Sequence, residues 1–102
     1  MLEKSDPLRM AGHIMLTPAQ LRAARALLGW SRDDLAERSG VFANTISNFE
    51  HGLSDPKQGT ILKWRRALAA AGVEFQDEDE IKGAGVRLRH PSGHPTERRA
   101  KR

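Results

Sequence analysis

Apolar residues recur at helical spacing through the centre of the chain, and after residue 72 they alternate with charged residues. Between residues 17 and 72, four segments place apolar side chains three or four positions apart, which lines one face of a helix. In residues 73–75 and 86–89 the period becomes two, as in half-buried strands. The pattern predicts a mainly α fold, with four helices followed by a short C-terminal β-hairpin.

The first two predicted helices have clear start and stop signals. Thr17 stands three residues before Gln20, with a proline between them, which is the arrangement of an N-terminal capping box. Gly29 ends this helix, and Ser31 begins the next one, which has two aspartates in its first turn. The second helix ends near residues 39–40. The inward positions of the first helix are predicted to be Leu21, Ala24, Leu27 and Leu28.

The third helix is predicted to run from about Phe42 to His51. Residues 55–58 offer a cap for a fourth helix, in which Arg65 and Arg66 are predicted to lie on the solvated face. The inward positions of this helix are predicted to be Ile61, Trp64, Leu68 and Ala71.

The same pattern divides the chain into segments. Residues 1–16 have no periodic apolar pattern and are predicted to form a flexible N-terminal extension. Residues 17–72 form the helical domain, and residues 73–89 form the hairpin. Residues 90–102 hold two prolines and no large apolar side chain, so we expect a disordered basic tail.

Composition narrows the classes of function. The net charge is +4 and the pI is about 10.1, which favours a polyanionic partner without separating DNA from RNA or an anionic membrane. The absence of cysteine excludes disulfides and thiolate metal sites. No glycine-rich phosphate loop and no histidine–carboxylate set is present, so we predict neither an enzyme nor a cofactor or metal site. No apolar run has membrane-span or signal-peptide length, and a cytoplasmic protein is expected.

One face of the third helix is small and polar. The positions that fall on this outward face are Ala43, Asn44, Ser47, Asn48 and His51. Short amide and hydroxyl side chains without long carboxylates suit base edges and phosphates. The segment around this helix resembles the Cro and phage-repressor class of helix-turn-helix proteins, also called the xenobiotic-response-element family. The positions that match the family pattern are Leu35, Ala36, Gly40, Val41, Ile46, Ser47, Glu50 and Gly52.

The resemblance implies that residues 17–72 are a helix-turn-helix DNA-binding domain whose third helix enters the major groove. It also implies an ion pair between Arg25 and Glu50. The residues that it places at DNA are Arg32, Phe42, Ala43, Asn44, Thr45, Ser47, Asn48, His51 and Lys57. Arg32 and Phe42 depart from the family's usual residues. Arg32 is long enough to reach a phosphate, and Phe42 suits contact with a thymine methyl or with a partner protein.

The resulting hypothesis is a homodimeric transcriptional regulator that binds a specific double-stranded DNA sequence. The apolar face of residues 73–89 exceeds what an isolated hairpin can bury, so the hairpin is predicted to pair two copies along their edges. In the competing arrangement the hairpin folds only onto its own fourth helix. Two alternatives concern partners. The first is an antitoxin that neutralises a toxin protein and autoregulates its operon, and the second is an adaptor that contacts RNA polymerase through the acidic residues 77–80.

Overall fold

The computed structural model describes residues 14–91, which form four helices and a two-stranded antiparallel sheet. The predicted mainly α fold with a C-terminal hairpin is confirmed. Residues 1–13 and 92–102, on which most of the predicted extension and tail fall, lie outside the described residues. The elements in chain order are α1 (Pro18–Leu28), α2 (Arg32–Ser39), α3 (Ala43–Glu50), α4 (Gln58–Ala70), β1 (Val73–Gln76) and β2 (Gly85–Leu88).

Reciprocal capping boxes begin α1 and α2. The backbone N–H of Gln20 donates to the Thr17 hydroxyl at 3.0 Å, and the N–H of Thr17 donates to the Gln20 side chain at 2.9 Å. Ser31 and Asp34 repeat this exchange at the start of α2. The bond from the Ser31 backbone holds the pKa of the Asp34 carboxyl below its usual value. Both helices therefore start where the sequence predicts.

The next two helices begin without a side-chain cap. Phe42 occupies the N-cap of α3, and its side chain has no polar atom to satisfy the free N–H groups. Lys57 occupies the N-cap of α4, again without a side-chain hydrogen bond. The cap predicted within residues 55–58 is therefore wrong, because the chain enters the helix at a lysine, which carries no hydrogen-bond acceptor.

The core lies where α1, α2, α3 and α4 meet, with one residue added from the hairpin. Trp64 is fully buried, as predicted, and its ring centre lies 5.2 Å from that of Phe49. Two inward predictions are wrong. Leu27 is 41% exposed because Leu21, Ala24 and Leu28 already take the core-facing stripe. Ala71 is exposed because it is the C-cap of α4, where the chain turns towards β1.

The folded unit starts earlier than the predicted boundary at residue 17. Leu16 is part of the buried core, and Ile14 packs against it. The N–H of Ile14 donates to the Gln58 side-chain oxygen at 2.6 Å, and the Gln58 amide donates back to the Ile14 carbonyl at 3.0 Å. Residues 14–16 are thus held by α4 and do not belong to a flexible extension.

The hairpin packs on its own chain against both α1 and α4. Val73 pairs with Leu88 and is buried, whereas Phe75, Val86 and Leu88 are half-buried against the core. The amide nitrogen of Gln20 donates to the carbonyls of Gln76 and Gly85, at 3.2 and 3.1 Å. This buried glutamine joins the start of α1 to the loop end of the hairpin. The competing prediction had the hairpin fold onto the fourth helix alone, whereas the hairpin also packs on α1.

Candidate nucleic-acid interface

Helix α3 has one buried and one accessible side. Ile46, Phe49 and Glu50 are buried, which orients the helix on the body of the domain. The turn that delivers α3 passes through Gly40 at φ +79°, a left-handed conformation that residues with a Cβ rarely adopt. α3 packs mainly on α1 and α2, whereas the hairpin packs on α1 and α4.

The C-terminal end of α3 is fixed by a buried carboxylate. The Arg25 guanidinium binds Glu50 in bidentate fashion, with nitrogen–oxygen distances of 2.7 and 2.8 Å. Arg32 adds a third bond of 3.0 Å from the first turn of α2, and Arg22 donates to the Glu50 backbone carbonyl. The Glu50 side chain is 0% exposed. The predicted Arg25–Glu50 ion pair is therefore present, in an enlarged form.

The ionic contacts also set the protonation state of Glu50. Burial is the largest single influence and raises the pKa of this carboxyl, because it disfavours the charged form. The hydrogen bonds and charges of Arg25 and Arg32 together outweigh burial, so the pKa lies below its usual value. Glu50 is therefore an ionised structural anchor at neutral pH. It holds Arg32, which remains partly exposed, beside the accessible side of α3.

Four of the predicted DNA-contacting residues come together in one shallow groove. Arg32 lies on the α2 side, and Ala43, Asn44 and Ser47 lie on the α3 side. Asp33 lines the same groove, so one carboxylate weakens the positive potential there. Asn44 is exposed at the first turn of α3, where an amide can donate and accept hydrogen bonds at once.

His51 lies one turn beyond Ser47, at the C-terminal end of α3. Its Nδ1 is 2.8 Å from the Ser47 backbone oxygen. A carbonyl oxygen only accepts, so this contact is a hydrogen bond when the ring carries a hydrogen on Nδ1. The ring is exposed.

The other predicted site residues do not line this groove. Phe42 is 85% exposed at the N-cap of α3, and Lys57 is exposed at the N-cap of α4. Thr45 and Asn48 are half-buried on α3. The structure thus gathers Arg32, Ala43, Asn44 and Ser47 in one groove. Of the remaining five residues, four lie on α3 or at its two ends, and Lys57 lies at the start of α4.

Sequence reasoning missed two residues at this site. Arg22 supports the end of α3, and its position three residues before Arg25, on the same helix face, was the available signal. Asp33 was recognised only as a favourable first-turn residue of α2. Its approach to Asn44 depends on the angle between the two helices, which the local pattern does not contain.

Two further findings describe residues 14–91. Within this range no group of three or more histidines, cysteines, aspartates or glutamates could hold a metal ion. No helix in the same range has the length and apolar character that crossing a bilayer requires.

The comparisons with known proteins agree with the geometry. A family model described as helix-turn-helix matches residues 21–72, just over half of the 102-residue chain. No significant match to a curated protein was found. The matched range contains the buried Glu50 network, the Gly40 turn and the polar side of α3. The chain belongs to the Cro/C1-type helix-turn-helix family, the xenobiotic-response-element class of DNA-binding transcriptional regulators.

Proposed function

We propose that this regulator recognises a specific double-stranded DNA sequence by inserting α3 into the major groove. The observation that carries the proposal is the accessible polar side of α3, which lines a groove together with a guanidinium from α2. A helix of this size fits the major groove, where each base pair presents a distinct pattern of donors and acceptors.

Different residues serve readout and positioning in this proposal. Asn44 and Asn48 read base edges, because an amide pairs in bidentate fashion with adenine. Arg32, Lys57 and His51 contact phosphates, which set the register without reading sequence. The surface that faces the major groove of the DNA is completed by Phe42, Ala43, Thr45 and Ser47. The proposal includes no catalytic step and no cofactor, and it places the protein in the cytoplasm with the DNA.

The decisive experiment is selection of binding sites from random duplex DNA with the full chain, followed by footprinting of the enriched site. Replacing Asn44 and Asn48 together by Ala should weaken specific binding by about 1 to 3 kcal/mol for each bidentate amide–base pair that the substitutions remove. Gln76→Ala, at an exposed hairpin position, is the matched control and should bind like the parent. Equal affinity of the double variant and the parent at matched salt would place the reading surface elsewhere.

Salt dependence tests the phosphate contacts separately. The logarithm of the association constant should fall linearly with the logarithm of salt concentration, because each neutralised phosphate releases counterions. Lys57→Ala should reduce the slope by about 1 and weaken binding to all sequences alike. A nearly flat dependence would argue against a phosphate-anchored mode and would favour protein binding as the main activity.

The proposal also includes a homodimer. One helix-turn-helix unit covers a half-site, and a two-fold pair places two recognition helices about 34 Å apart, one turn of DNA. A two-fold-symmetric footprint and a dimer in sedimentation at tens of micromolar would support it. A toxin protein and RNA polymerase stay alternative partners. The adaptor hypothesis would be supported if neutralising the charges of residues 77–80 abolished binding to RNA polymerase and left DNA binding intact.

A further inference from the structure

A second groove lies between the C-terminal ends of α1 and α4 and the end of β2. Its volume is about 470 Å³, and its apolar lining includes Leu27, Leu28, Trp30 and Leu88. The described residues leave this lining partly open to solvent, and Leu27 is exposed there despite its helical spacing. Such a groove favours an apolar side chain as its occupant.

The rim of this groove is cationic. Arg38 lies with its guanidinium carbon 4.5 Å from the centre of the Trp30 ring. Arg89 donates one bond to the Ala69 carbonyl at 3.1 Å, which leaves other guanidinium donors for a ligand. None of the described residues that line the groove is acidic. The occupant that fits therefore combines an apolar group with carboxylates.

The loop between β1 and β2 has this combination. Ile81 is 87% exposed, and Asp77, Glu78, Asp79 and Glu80 immediately precede it. Hydrogen bonds hold the turn in this loop, because the Asp79 carboxylate accepts bonds from the N–H groups of Ile81 and Lys82, at 2.8 and 2.7 Å. An isoleucine is thus held outwards at the tip of an acidic loop, with no covering residue in the described part of its own chain.

We infer that the acidic loop of one copy docks into the Arg38–Arg89 groove of a second copy, with Ile81 against Leu27 and Leu88. The charges complement each other, because Glu78 and Glu80 can pair with the two arginines. The inference rests on the homodimer of the proposed function and adds to it the residues that join the two copies.

The hairpin geometry permits this contact to occur twice. Val73 and Leu88 are opposite each other at the groove end, and Gln76 and Gly85 are opposite each other at the loop end. In the described chain the sheet has two strands, so the outer edge of β2 has no strand partner. When two β2 edges pair antiparallel about a two-fold axis, the loop of each copy lies beside the groove of the other.

The inference is tested by exchanging charges between the rim and the loop in the full chain and measuring dimerisation by sedimentation. Arg38→Glu with Arg89→Glu reverses the rim, and Glu78→Arg with Glu80→Arg reverses the loop. Each double variant should raise the dimer dissociation constant at least about tenfold, because like charges then face each other. The fourfold variant should restore dimerisation. Circular dichroism of every variant shows whether the monomer fold is kept.

A second set of variants tests the apolar contact of Ile81. Ile81→Asp should weaken the dimer as strongly as charge reversal, whereas Ile81→Leu should leave it unchanged. Failure of the fourfold variant to regain dimerisation, while both double variants stay folded, would overturn the inference. Weakening by the rim variant alone would also overturn it and would indicate that the groove has an occupant other than this loop. A monomeric parent that still binds a half-site would reject the docking and leave DNA recognition intact.

Discussion

Helix α1 supports α3 and the hairpin with different chemistry. On the α3 side, Arg22 and Arg25 hold Glu50, whose side chain is fully buried. On the hairpin side, Gln20 donates two neutral amide hydrogen bonds to strand carbonyls. The hairpin also has an ion pair between Glu74 and Arg87, at 2.6 Å, but both side chains are exposed.

The two carboxylate–guanidinium pairs show that distance alone does not set the strength of an ion pair. Arg25–Glu50 and Arg87–Glu74 have nearly the same nitrogen–oxygen separation, 2.7 and 2.6 Å. Water screens the exposed pair and competes for its hydrogen bonds, whereas a buried charge that loses its partner has no substitute. We therefore expect α3 to separate from α1 only on global unfolding and the hairpin to open more readily.

The largest expected effect is that of removing Glu50. Glu50→Ala leaves Arg25 without its bidentate partner in a mostly buried position, and should lower the free energy of unfolding by about 3 kcal/mol. Thermal melting measures the loss, at roughly 4 to 8 °C per kcal/mol for a domain of this size. An unchanged melting temperature would show that the network does not stabilise the fold.

The same carboxylate should make the protein sensitive to acid. Because the pKa of Glu50 is lowered by folding, its ionic contribution is complete above the ordinary glutamate pKa, about 4.5. It is lost as the pH falls through the lower pKa of the folded state. As the pH is lowered from 5, the melting temperature of Glu50→Gln should therefore decrease less than that of the parent. Equal decreases in both proteins would assign the acid sensitivity to other carboxyls.

A smaller and local effect is expected at Gln20. Gln20→Ala leaves the Gln76 and Gly85 carbonyls without these partners, which costs about 1 to 3 kcal/mol. Hydrogen exchange should accelerate in the strands and stay slow in α3. Thr17→Ala is the matched control, because it removes the α1 cap and keeps the bonds to the hairpin. Equal acceleration in α3 would mean that the two regions unfold together.

The smallest effect is expected at the exposed pair. Arg87 holds the pKa of the Glu74 carboxyl below its usual value through a hydrogen bond in solvent. Glu74→Gln should leave the melting temperature within measurement error, because water takes the place of the ionic hydrogen bond. A decrease in melting temperature comparable to that of Glu50→Ala would show that burial does not determine which of the two ion pairs stabilises the fold more.

Local patterns were sufficient for the helices and for the core around Trp64. Thr17, Ser31 and Gly40 act within a few residues of their own positions, so their roles depend on chain geometry that the sequence displays directly. The family pattern likewise predicted the Arg25–Glu50 pair. The DNA contacts of the exposed residues on α3 stay predictions that binding experiments test.

Other features depended on elements that meet only in the folded chain. Gln20 was identified as a helix cap, but its amide nitrogen also binds the hairpin, more than fifty residues later. Arg65 was expected in solvent, yet it lies over the Phe75 ring, with its guanidinium carbon 4.5 Å from the ring centre.

Spacing along the chain was thus enough to establish the elements, the caps of α1 and α2 and the polar side of α3. Packing between elements established that Ile14 is held by Gln58, that Arg32 joins Glu50 and that Leu27 borders an open groove. The physical reason is that long side chains such as those of Arg and Gln form hydrogen bonds with whichever element the packing brings near. A one-dimensional pattern specifies the hydrogen-bonding capacity of such a side chain but not its partner.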